Sequence, residues 1–114
     1  MISFIVPAFN EAPTIADTVE TIRKVASARD IEGYEIILID DGSTDGSSDI
    51  MKKLSDEDPR IRPIYHEENQ GLGKSIIDGI HQASESRFMV VPGDNDISTE
   101  SLNLMLYYRD AADL

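Results

Sequence analysis

Two almost unbroken apolar runs, residues 2–6 and 34–39, constrain this chain more than any other feature. A strand with one wet face alternates apolar and polar residues. A continuous run needs cover on both faces, as in the parallel strands of α/β proteins. Two weaker runs follow at residues 61–65 and 87–91, and Pro63 inside the third assigns it to a sheet edge. Between the runs the period changes to that of a helix. Behind Pro13, which suits a first helical position, Ile15, Val19, Ile22 and Val25 form one face. Ile50, Met51 and Leu54 mark a second helix, with Ser43 or Thr44 as expected caps and a break at residues 56–59. Leu72, Ile76, Ile80 and Ala83 give a third stripe. Ser98 or Thr99 would cap a fourth helix through Leu102, Met105 and Leu106. Pro7 is expected to stop the first strand.

Strands alternating with helices mean right-handed βαβ units. The expected fold is α/β and Rossmann-like: one domain over residues 1–114, a parallel sheet with helices on both faces and strand order 3-2-1-4. That order sets the loops after strands one, two and four side by side at the carboxyl edge, where open α/β sheets bind ligands. Residues 7–11, Asp41 and Asp94-Asn95-Asp96 then surround one crevice. Asp94 and Asp96 are two hard oxygen donors that suit Mg²⁺ or Mn²⁺, the remaining coordination falling to water and substrate phosphates. Acids after a strand are also ordinary turn residues, so D-x-D alone is weak and gains force from its neighbours.

Charge narrows the partners. Ten basic against 22 acidic residues give a net charge of −12, which disfavours nucleic acid because no basic patch exists to release counterions. A nucleotide sugar is compatible, since a divalent ion offsets local repulsion. The chain has no cysteine, hence neither a disulfide framework nor a thiolate metal site. Neither a transmembrane segment nor a signal peptide is apparent, so the expected location is the cytoplasm or the cytoplasmic face of a membrane.

Four motifs in register now carry a resemblance. Pro7-Ala8-Phe9-Asn10-Glu11, Ile39-Asp40-Asp41-Gly42-Ser43-Thr44-Asp45-Gly46, Asn69-Gln70-Gly71-Leu72-Gly73-Lys74 and Asp94-Asn95-Asp96 resemble, in order and spacing, the family 2 glycosyltransferases of GT-A fold. Within these, the polyprenyl- and dolichol-phosphate sugar transferases are nearest. The resemblance spans essentially the whole chain. It implies inverting transfer of a sugar from a UDP- or GDP-linked nucleotide-diphospho-sugar, with Mg²⁺ or Mn²⁺, to an acceptor such as a lipid phosphate or a glycan. By position it implies that Asp41 meets the donor base with Ile39 nearby. Pro7, Phe9 and Glu11 would line the nucleotide pocket, and Lys74 would reach the phosphates. Asp94 would approach ribose or phosphate and hold metal together with Asp96. Phe9 stands where relatives often carry tyrosine, keeping a stacking face without a hydroxyl. Asn95 replaces a smaller residue at the donor site, and Pro92-Gly93 is an unusual lead-in.

The resemblance further implies an acceptor-binding half, with the general base, beyond residue 114. This chain is therefore expected to be a truncated donor-binding domain that binds nucleotide better than it turns it over. The only histidines, His66 and His81, are not convincing bases. Exposed apolar surface would favour self-association, and a clean monomer by light scattering would count against it.

Three other classes compete. Gly71-Leu72-Gly73-Lys74-Ser75 looks like the end of a P-loop, but that pattern needs glycine where Glu68 stands, and an NTPase acid should follow the loop rather than precede it at Asp40. A non-catalytic module that binds a nucleotide sugar or a partner would differ by ignoring metal. A nucleotidyltransferase should open with a glycine- and basic-rich loop, and residues 7–11 contain neither.

Overall fold

A computed structural model describes residues 2–31, 33–84 and 87–94. Among these residues seven elements alternate: β1 (Ile2–Ala8), α1 (Ile15–Ala28), β2 (Tyr34–Asp41), α2 (Ser47–Glu57), β3 (Ile61–His66), α3 (Leu72–Gln82) and β4 (Phe88–Val90). The four strands are parallel in the order β3-β2-β1-β4. The expected fourth helix lies outside the described residues, as do Asn95 and Asp96.

Strand parity sorts the core into two layers. Ile2, Phe4, Val6, Ile36 and Leu38 face α1 and α2, where Ile15, Val19, Ile22, Val25 and Met51 close over them. Ile5, Ile37 and Ile39 point the other way, with Ile64, Ala83 and Val90 packed around them. Every residue of β1 is buried, which is why the run shows no polar alternation.

β1 does not stop at Pro7; it pairs with β2 through Ala8↔Asp40. The reason lies in the direction of the missing donor. Ser3 N–H donates to Arg87 O and Val91 N–H to Ile5 O, so odd-numbered backbone groups of β1 face β4. The last β1–β4 pair is Ile5↔Val90, so the absent Pro7 N–H costs the β1–β2 ladder nothing. Pro63 obeys the same logic at the opposite edge. Ile36 N–H donates to Arg60 O, which turns even-numbered groups of β3 inward and leaves position 63 facing the open edge.

α3 departs from its expected stripe. It buries Ser75 and Gly79, while Leu72 is 63% exposed and Ile80 36%. A Cβ on Gly79 would stand 2.5 Å from Ile5 Cγ2 and 3.1 Å from Ile39 Cδ1. The helix thus seats on the sheet through the position where it is thinnest, and Leu72, Ile77 and Ile80 turn away. α2 also starts later than expected. Gly46, at φ 95°, precedes Ser47, and neither Ser43 nor Thr44 caps it.

Candidate functional site

The polar ends of the strands are fastened to one another, and that fastening builds the site. Residues 40–47 form a clip that grips the loop after β1. Asn10 N–H donates to Ser43 Oγ at 2.9 Å, and Thr44 N–H returns a bond to Asn10 Oδ1 at 2.8 Å. Glu11 N–H reaches Ser47 Oγ, and Ala12 N–H reaches Asp45 Oδ2, both at 3.0 Å. Asp40 accepts Ser43 N–H at 2.9 Å. These short polar side chains act as backbone partners across loops rather than as helix caps. Asn10 takes φ 54°, a conformation asparagine tolerates better than most residues.

The chain after β4 is tied to α1. Gly93 N–H donates to Pro7 O at 3.0 Å, and Gly93 O accepts the hydroxyls of Thr14 at 2.9 Å and Thr18 at 3.1 Å. Asp94 follows at once, exposed at the rim. Thr18 belongs to the buried side of α1 with Ile15 and Ile22. A threonine on an otherwise aliphatic face was the available signal for this contact.

Asp41 accepts three hydrogen bonds at the edge of the site. Its Oδ1 accepts from His66 Nδ1 and from Gln70 N–H, both at 2.8 Å, and its Oδ2 accepts Gly71 N–H at 2.9 Å. The second nitrogen of His66 lies 2.8 Å from Asp78 Oδ2, and Asp78 also pairs with Lys74 at 3.0 Å. Burial pushes the Asp41 carboxyl up, but the His66, Gln70 and Gly71 bonds outweigh burial and hold it below the ordinary range. The bond to Asp41 is the main cause that raises His66, against burial, with Asp78 adding to the effect. Both rings of contact are satisfied by an imidazolium between two carboxylates. From sequence alone His66 carried no role. Its signal is register: it pairs with Asp41 and shares the α3 face with Ile64.

Gly42 explains the path of the loop after β3. It has φ 77°, and a Cβ there would lie 2.6 Å from Asn69 N and Glu68 C. The D-G step lets that loop lie directly on the end of β2.

A cavity of about 410 Å³ opens at this edge, lined by Pro7, Ala8, Phe9, Glu11, Asp41, Asn69, Gly71, Leu72, Ser75, Pro92, Gly93 and Asp94. Five of the expected residues therefore meet there: Pro7, Phe9, Glu11, Asp41 and Asp94. Ile39 is fully buried in the core on the α3 side, on the same face as Asp41. Lys74 points to Asp78 with its side chain half exposed. Among the described residues no group of three or more His, Asp or Glu side chains converges on one point. Of the two expected metal ligands, Asp94 lines this cavity, its carboxylate being a hard oxygen donor of the kind Mg²⁺ and Mn²⁺ accept, and Asp96 lies outside the described residues.

An open parallel sheet with an acid-lined crevice at its carboxyl edge places the chain among open α/β domains, which take ligands at that edge. Glycosyl transferase family 2 matches residues 3–111, and the chain belongs to that family. The chain is 34% identical over 109 residues to the glycosyltransferase GlyG of Streptococcus pneumoniae, covering 96% of this chain and 35% of that protein. It thus spans about a third of that relative's length. Two solved structures share the GT-A fold. The mannosyltransferase PcManGT of Pyrobaculum calidifontis, in complex with GDP-Man and Mn²⁺, superposes with TM-score 0.71 at 23% identity, over 82% of this chain and 27% of that one. S. aureus TarS 1-349 in complex with UDP-GlcNAc gives TM-score 0.73 at 24% identity, over 96% of this chain and 31% of that one. No helix of the described residues is long and apolar enough to cross a membrane.

Proposed function

We propose that this chain is the donor-binding domain of an inverting glycosyltransferase that uses a nucleotide-diphospho-sugar with Mg²⁺ or Mn²⁺. The observation that carries the reading is the single crevice where Asp41, Phe9, Glu11 and Asp94 meet, in a chain of glycosyl transferase family 2. The nucleotide lies along the strand ends. Asp41 accepts from the base, Phe9 offers a stacking face, and Pro7 and Glu11 wall the pocket. Asp94 approaches ribose or phosphate and, with Asp96, holds the metal against the diphosphate, with Asn95 between them. A bound divalent cation supplies Lewis-acid stabilisation of the charge that develops on the leaving diphosphate. Lys74 is the nearby cation on α3, available to the phosphates at the expense of its pair with Asp78. The acceptor is a lipid phosphate or a glycan hydroxyl. A hydroxyl acceptor also needs a general base to take its proton.

The test is calorimetric titration of UDP and GDP, each with and without Mn²⁺, on the wild type and on Asp94→Ala/Asp96→Ala. Binding that requires metal and disappears in the double variant is expected. Binding indifferent to both metal and substitution would replace this reading with a metal-free binding module, and the absence of any binding would remove the donor site.

A further inference from the structure

Within the donor-site reading, on which this inference rests, the hydrogen bonds already made by Asp41 restrict which base it accepts. An ionised carboxylate is acceptor-only, with about four lone-pair sites on two oxygens. In Asp41, Oδ1 already accepts two N–H groups, from His66 and Gln70, and Oδ2 accepts one, from Gly71. One place remains, and it is on Oδ2. The side chain is 6% exposed and lines the cavity, so a ligand meets a nearly filled acceptor.

Bases differ in what they bring to such a group. Guanine offers two parallel donors, N1–H and the 2-amino group, and a carboxylate receives them as a fork with one free site on each oxygen. Uracil offers one ring N–H, flanked by two carbonyls. We propose that Asp41 accepts the single imide N–H of a uracil-type base through Oδ2 and discriminates against guanine, whose second donor finds Oδ1 occupied. To seat guanine, Asp41 would have to give up the Gln70 N–H or the bond to His66, whose ring is buried at 6% exposure and would be left with an unpaired nitrogen.

Ser75 supplies an independent observation. It stands one turn into α3, is fully buried and lines the same cavity. Its hydroxyl has no hydrogen-bond partner among the described residues. Buried hydroxyls are ordinarily paired. A carbonyl beside the imide N–H is the acceptor this hydroxyl lacks, so the wall offers an acceptor at Asp41 and a donor at Ser75 to a uracil edge.

The experiment titrates the whole chain, with Mn²⁺, against UDP, GDP, IDP and N3-methyl-UDP, and repeats UDP on Ser75→Ala. IDP keeps the purine ring and N1–H of GDP and lacks the amino group, which separates the donor count from base size. UDP is expected to bind at least about tenfold tighter than GDP, the cost of one unmade buried hydrogen bond. IDP should bind tighter than GDP, N3-methyl-UDP should lose most of the affinity, and Ser75→Ala should weaken UDP severalfold while leaving the apo melting temperature unchanged or raised. GDP binding as well as UDP, or no better with IDP in its place, overturns the base selection and leaves the donor site standing. Failure of every nucleotide to bind overturns both.

Discussion

His66 meets two carboxylates at once, and its charge state sets what each of them can do. As an imidazolium it donates to Asp41 and to Asp78; as a neutral ring it can donate to only one of them. The signs follow from the two shifted groups. Asp41 titrates below its ordinary 3.8 in the folded chain, so its contribution is present above 3.8 and fades as pH falls through the lower folded value. His66 titrates above its ordinary 6.5, so its contribution is complete below 6.5 and fades as pH rises through the folded value. From this pair, stability is greatest between 3.8 and 6.5. Melting curves across pH should therefore show an alkaline limb in the wild type that is flattened in His66→Gln. Parallel limbs in the two proteins above 6.5 would remove His66 as the cause.

α3 is held at both ends by acids of one strand. At its start Asp41 takes Gly71 N–H. At its end Glu35 accepts Ser84 N–H at 2.6 Å and pairs with Arg62 at 2.9 Å, while Arg62 also donates to Gln82 O. Burial pushes the Glu35 carboxyl up, but bonds from Ser3, Ser84 and Arg62 prevail and hold it low. Between these clamps the contact is close at Gly79 rather than broadly apolar. Gly79→Ala should force Ile5 or the helix to move and destabilise the chain by about 1–3 kcal/mol, the usual range for overpacking. Leu72→Gln, at an exposed position, should stay within about 0.5 kcal/mol. Denaturant melts of both variants check the assignment, and the reverse ranking would restore the leucine–isoleucine stripe as the buried face.

Over the whole molecule, charge opposes the ligand. A chain at net −12 repels a nucleoside diphosphate over distances set by the Debye length, about 10 Å at 0.1 M salt. Without metal, added salt screens that repulsion and should tighten UDP binding. With Mn²⁺ at the acids, the same salt screens an attraction and should weaken it. Titrations at low and moderate ionic strength, with and without metal, should give slopes of opposite sign. Slopes of one sign would mean that the metal does not bridge protein and phosphate.

The order of elements and the arrival of Asp41 and Asp94 at one sheet edge were legible in the sequence because they rest on local pattern, and the sheet order followed from the fold class. Apolar runs report strands buried on two faces, and residues that follow a parallel strand come to its carboxyl edge. Tertiary structure alone decided the rest. Whether Pro7 ends a strand depends on which neighbour its missing N–H faces, and whether Gly79 or Ile80 meets the sheet depends on how closely the helix approaches it. Asp41 with His66 and Gln70, Thr18 with Gly93, and Ser43 with Asn10 are partners 25, 29, 75 and 33 residues apart. Periodicity carries no information over such separations: a sequence names the groups that can form hydrogen bonds, and the packed chain determines which of them meet.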